Sequence, residues 1–128
     1  MQITPGRIVL YRLTDGDAAA INRRRTNGAS IASRLLWSVV GKHAEAVPAD
    51  SSSGDVRAWP AGAQAHIGNS ASADDVVPLI AVRVWPNEFG EGVPGVNGQA
   101  LLDGNDVLWI ISAREGPEPG QWMWPPRV

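Results

Sequence analysis

Three consecutive arginines, Arg23, Arg24 and Arg25, stand in the stretch "INRRRTNG" at 21–28. Guanidinium groups bind phosphate and carboxylate in a two-pronged fashion, so the triplet is either an anion site or the wet side of a helix. A helical projection separates the three. At about 100° per residue, Ala18 and Ile21 define a buried side, Arg24 and Arg25 flank Ile21, and Arg23 lies nearly opposite. Arg23 is therefore expected in solvent. Arg24 and Arg25 are expected where the helix meets a sheet, held by packing and able to face a ligand. The structural alternative is complementarity to the helix dipole plus an ion pair, for instance from Arg24 back to Asp17 or Asp106. It outweighs the functional one.

The second candidate is "HIGN" at 66–69. His66 can donate to a phosphate or act as a general acid, and Gly68-Asn69 permits a tight turn with positive φ. Against this stands a half-buried strand histidine bonded to a backbone carbonyl. Only His43 and His66 are present and cysteine is absent, so a multi-histidine or thiolate metal site is excluded, as are disulfides and cysteine nucleophiles. "DGNDVLW" hints at the start of a calcium loop, but no glutamate closes it, and a hairpin turn is the better reading. No phosphate-binding loop, dinucleotide fingerprint, zinc-protease motif or nucleophile elbow is present. A carboxylate-rich magnesium or calcium site stays open as an alternative, but no metal ligand is assigned and no cofactor is expected.

Six tryptophans, at 37, 59, 85, 109, 122 and 124, accompany a single tyrosine, Tyr11. Most belong in a core or on a sheet. Trp122 and Trp124 share one strand face, and such a pair can stack a base, a proline helix or another subunit.

The elements that must position these residues fit one domain over 1–128. Hydrophobic residues at 44% and charged residues at 19% mark a folded chain. No apolar run approaches the ~18 residues that cross a bilayer, no secretory leader is visible, and a cytosolic setting is expected. Residues 1–42 carry seven basic against two acidic side chains, the remainder four against eleven. A basic end on an acidic body can focus an anion or self-associate. The net charge of −2 argues against non-specific DNA binding, and sequence-specific nucleic-acid binding is not expected.

"RIVLYRL" at 7–13 alternates as a strand, with Val9, Tyr11 and Leu13 on one face. "TDGDAAAINRRRTNG" reads as a helix opened by Thr14 and Asp17 at capping-box spacing and closed by Asn27-Gly28. "ASIASRLLW" resumes as a second helix. Residues 38–58 lack a period and read as a mobile loop or insertion. Beyond Trp59 the chain turns β-rich. "AQAHIGN" is a short strand and "VVPLIAVRVW" a longer one with Pro78 near its start or at an edge. "NEFGEGVPGVNG" is a glycine-rich loop. "QALLDGNDVLWIISA" is a hairpin around Asp-Gly-Asn-Asp, and "GQWMWPPRV" gives a last short strand. The expected class is α+β, mainly β: a small SH3-like barrel or strongly bent antiparallel sheet, with one or two short helices inserted after the first strand.

In order, "PGRIVLYRL", "INRRRT", "AQAHIGN", "VRVW", "VNGQALLDGND" and the terminal "WPPRV" resemble a group of small proteins encoded by bacteriophages and prophages, over most of the chain outside 38–58. The resemblance carries no catalytic role. It implies a phage accessory protein in the host bacterial cytoplasm or a minor part of the particle. In that setting the leading expectation is a non-enzymatic binder that sequesters a nucleotide-like anion, a sponge for a host immune signal. Arg24, Arg25 and His66 would meet phosphate, and Tyr11, Trp122 or Trp124 the base. Asn22, Asn69 or Asn97 would meet base edges, and Asp103 or Asp106 the ribose hydroxyls. Such a sponge is expected to be a homo-oligomer. The alternatives are a protein–protein interaction module, either assembly factor or inhibitor of a host protein, and an enzyme that cleaves a nucleotide signal with His66 as acid or base.

Overall fold

In the computed structural model the described residues are 1–40 and 66–127, the side chains of 28–40 excepted. Strand β1 (Ile8–Arg12) leads into helix α1 (Asp15–Val40), and four further strands follow: β2 (Val76–Trp85), β3 (Gly95–Leu101), β4 (Val107–Arg114) and β5 (Trp122–Met123). They form one antiparallel sheet in the order β4-β3-β2-β1-β5. The sheet curls into a half-barrel, and a bridge between Glu115 and Trp122 draws its two ends together on one side. The chain is thus α+β, mainly β, with a strongly bent sheet.

Alternation decides what the sheet buries. Val9, Tyr11 and Leu13 point inward from β1 and the residue after it. Leu79 and Ala81 join them from β2, Val96 and Ala100 from β3, Ile110 and Ala113 from β4, and Trp122 from β5. Ile21 of α1 plugs this concave side. Burial of such aliphatic side chains contributes about 1.5–3 kcal/mol each.

The start of α1 follows the expected chemistry. Thr14 Oγ1 accepts from the Asp17 N–H at 3.0 Å, and Asp17 Oδ2 accepts from the Thr14 N–H at 3.0 Å. The same Oδ2 accepts from the Tyr11 hydroxyl at 2.7 Å, which ties the cap to the core face of β1. Asn27-Gly28 does not close the helix. One helix runs through it, replacing the two expected from the sequence. A glycine in a helix interior costs only about 1 kcal/mol relative to alanine, so a cap signal can be overridden when the helix is anchored upstream. The helix includes 38–40; the rest of the segment expected to be a loop, 41–58, lies outside the described residues, as do His43, Trp59 and the side chain of Trp37. "AQAHIGN" is not a strand over its described part: Gly68 alone makes a bridge, to Gly104. The glycine-rich loop is shorter than expected, because Gly95–Gly98 already belong to β3. Among the described residues no helix is long and apolar enough to cross a membrane.

Tyr11 is the chain's single tyrosine and is buried. Burial, the hydrogen bond to Asp17 and the Asp17 charge all push its ionisation well above the usual phenol range. The raised value means this group's contribution is complete below the ordinary tyrosine pKa of about 10 and is lost as pH rises beyond it. A spectrophotometric alkaline titration is expected to show no phenolate near pH 10 in the native protein and a normal phenolate titration in urea. Native phenolate at that pH would contradict this placement of Tyr11.

Candidate functional site

The β3–β4 turn ends in Asp106, whose side chain is only 2% exposed. A carboxylate stripped of water must be paired. Arg25, itself 8% exposed, meets it with both prongs: Nη2 to Oδ1 at 2.9 Å and Nη1 to Oδ2 at 3.1 Å. Arg24 Nη1 reaches Oδ2 at 3.1 Å and the Val107 carbonyl at 2.9 Å. His66 Nδ1 lies 3.2 Å from the same Oδ2. An ionised carboxylate only accepts, so this partner assigns the proton to Nδ1 and leaves Nε2 for another contact. The helical projection holds: Arg23 is exposed, Arg24 intermediate and Arg25 buried.

The segment carrying His66 is fastened to the turn beside Asp106. Ile67 N–H donates to Asn105 Oδ1, Asn105 N–H to the Ile67 carbonyl and Asn69 N–H to the Asp103 carbonyl, each at 2.9 Å. Arg25 Nε donates to the Asn69 carbonyl at 2.9 Å, so one guanidinium staples helix, segment and turn together. Two glycines make that approach possible. A Cβ on Gly68 would fall 2.4 Å from the Asp103 carbonyl oxygen and 3.0 Å from Arg25 Cζ, and one on Gly104 2.8 Å from Arg25 Nη2. Neither Gly68 nor Asn69 uses the positive φ that the pair permits; closeness, not handedness, is what Gly68 supplies.

Two guanidiniums against one carboxylate leave an excess positive charge. Water reaches it at Arg24, 30% exposed, because Arg25 is enclosed, and His66 stands beside it at 37% exposed. Arg24 uses Nη1 alone; Nε and Nη2 have no partner among the described residues. On its other side Arg25 walls a cleft of about 270 Å³ with an apolar floor of Leu13, Ile21 and Val77 and a rim that includes Asp75 and Asp103.

The other sequence candidates separate from this cluster. Both oxygens of Asp106 are occupied, so it orients cations instead of meeting ribose. Asn22 spends its amide on the backbone of Ala71, at 2.9 and 2.8 Å. Asn97 sits at a bulge toward the far end of β3, where Oδ1 accepts from the Ser112 N–H. Tyr11 and Trp122 are core residues with no face for a base. Trp124 is half-buried and meets Trp122 edge-on, ring centroids 5.5 Å apart. Asn69 Nδ2 bonds Asp103 Oδ2 at 2.9 Å, leaving Asp103 Oδ1 on the cleft rim. The sequence reading missed the hub role of Asp106 and the clamp made by Asn105; the glycines at 68 and 104 were its visible signal. Among the described residues no group of acidic and histidine side chains is arranged to hold a metal ion.

No protein-family model, no curated protein and no solved structure matches the chain.

Burial would raise the Asp106 pKa, but the hydrogen bonds from Arg25 and Arg24 and then their charges outweigh it and hold the carboxyl below its usual range. A lowered folded-state pKa contributes stability that is present above the ordinary carboxyl value of about 4 and is lost as pH falls through the depressed one. Asp106→Asn should cost about 3 kcal/mol near neutrality, since it leaves the enclosed Arg25 guanidinium uncompensated. It should also flatten the stability loss below about pH 4. Urea unfolding of both proteins across a pH series checks this, and parallel profiles would refute the ion-pair assignment.

Proposed function

We propose that the protein binds a nucleotide-like anion without catalysis, through the edge that Arg24 and His66 present. The observation that carries this reading is the surplus at Asp106. A single buried carboxylate holds two guanidiniums and an imidazole in fixed positions, and the two exposed members retain unused polar atoms. Arg24 Nε and Nη2 offer a fork to a phosphate. His66 Nε2 accepts from a hydroxyl when neutral and donates to a phosphate oxygen when protonated. Asp103, on the rim of the cleft that Arg25 walls, is an acceptor for ribose hydroxyls of a ligand long enough to reach past Arg25. A fixed cationic edge binds an anion with little loss of side-chain entropy.

This narrows the sequence expectation: Arg24 and His66 are contact residues, and Arg25 and Asp106 position them. A role as a phage accessory protein that soaks up a nucleotide signal of host immunity, in the bacterial cytoplasm, extends the proposal on the sequence resemblance alone.

Calorimetry against pyrophosphate, ADP-ribose and a panel of cyclic dinucleotides tests the reading. At least one nucleotide ligand should bind. Arg24→Ala should weaken it by about 1.5–3 kcal/mol with the fold retained, as for a hydrogen bond to a charged group. Arg23→Ala should leave affinity unchanged. Absence of binding by the whole panel to folded protein, or equal losses at Arg23 and Arg24, would overturn it.

A further inference from the structure

Strand β4 has a neighbour on one side only. Its regular part is short, because Ser112 adopts φ 54° beside the Asn97 bulge, and beyond it Glu115 is bridged to Trp122. The open edge is therefore Val107–Ile111. Along it Val107, Trp109 and Ile111 are 42%, 45% and 65% exposed, whereas Ile110 is buried. Leu101, opposite Val107 in the β3–β4 register, is also exposed and widens the apolar strip.

The backbone phase is fixed as well. The Val107 carbonyl accepts from Arg24, so it points away from β3. Alternation then puts the N–H and C=O groups of Trp109 and Ile111 on that same side. Among the described residues no strand pairs with them. Natural sheets guard such edges with charge, proline or a covering element. The run from Val107 to Ala113 contains no charged residue and no proline.

We propose that this edge pairs antiparallel with β4 of a second copy, across a two-fold axis through Trp109. The strip is self-complementary about that residue. Trp109 falls opposite Trp109 of the second copy and Val107 opposite Ile111, so every cross-strand pair is apolar or aromatic. The Val107 carbonyl has a second lone pair for the Ile111 N–H of the second copy. Five residues of edge fall short of the roughly 20–30 residues a side of a stable interface. The dimer is accordingly weak and concentration-dependent. The outward face of a curled sheet is convex, which favours edge pairing over face-to-face stacking.

The chain has no cysteine, so any introduced thiol can cross-link only to a second copy. A hydrogen-bonded antiparallel pair sets its Cα atoms about 5.5 Å apart, within disulfide reach. Under mild oxidation Trp109→Cys should cross-link to itself. Val107→Cys and Ile111→Cys should each cross-link poorly alone but readily when mixed, by at least about tenfold, with Trp109 intact. Ile8→Cys, exposed on β1, is the control. Circular dichroism confirms folding, and should Trp109→Cys not fold, the mixed pair decides. Cross-linking no better than the control, or sedimentation of the unaltered chain as a monomer up to about 1 mM, would overturn the pairing.

Discussion

A carboxylate almost without water must be answered by cations, and Asp106 is answered by three side chains from two distant parts of the chain. Arg24 and Arg25 come from the third turn of α1, and His66 from the segment that lies on the β3–β4 turn. Arg25 adds a bond to the Asn69 carbonyl and so closes the arrangement. Replacing such a cluster with apolar residues need not weaken a protein, whereas removing one member strands the others. The cluster thus makes the placement of its exposed members, Arg24 and His66, a consequence of packing instead of side-chain chance.

The glycines at 68 and 104 belong to the same constraint. They allow two backbone segments and a guanidinium to meet at distances that a Cβ would forbid. Asn22 performs a related service from α1, gripping Ala71 through both amide atoms, so the chain between the His66 segment and β2 is held against the helix. Asn22 and Asn97, which look like ligand contacts in the sequence, are here backbone clamps. Each satisfies main-chain groups that no strand serves.

The sequence made much of this legible, for identifiable reasons. Alternation in "RIVLYRL" separated the two faces of β1 without saying which is buried, the Thr14–Asp17 spacing gave the helix start, and Asp-Gly-Asn-Asp gave the hairpin. The wheel position of Arg23 against Arg24 and Arg25 followed from helical periodicity alone. The failures share a different cause. The single bridge at Gly68 and the burial of Tyr11 and Trp122, both candidates for stacking a base, depend on contacts distant in sequence, which local propensity does not encode. Asp106 was visible only as one possible partner of Arg24, because nothing local announces that a turn carboxylate will be buried.

Under the proposed function Asp106 aims an exposed guanidinium and imidazole at an anion while keeping Arg25 for the fold. Side-chain NMR of arginine Nε–H and histidine ring signals, recorded while ADP-ribose or a cyclic dinucleotide is titrated in, reads this residue by residue. Saturable shifts at Arg24 and His66, with Arg25 much less affected and Arg23 still, are the predicted result. Shifts spread evenly over the three arginines, or none at Arg24 and His66 while the ligand demonstrably binds, would contradict it.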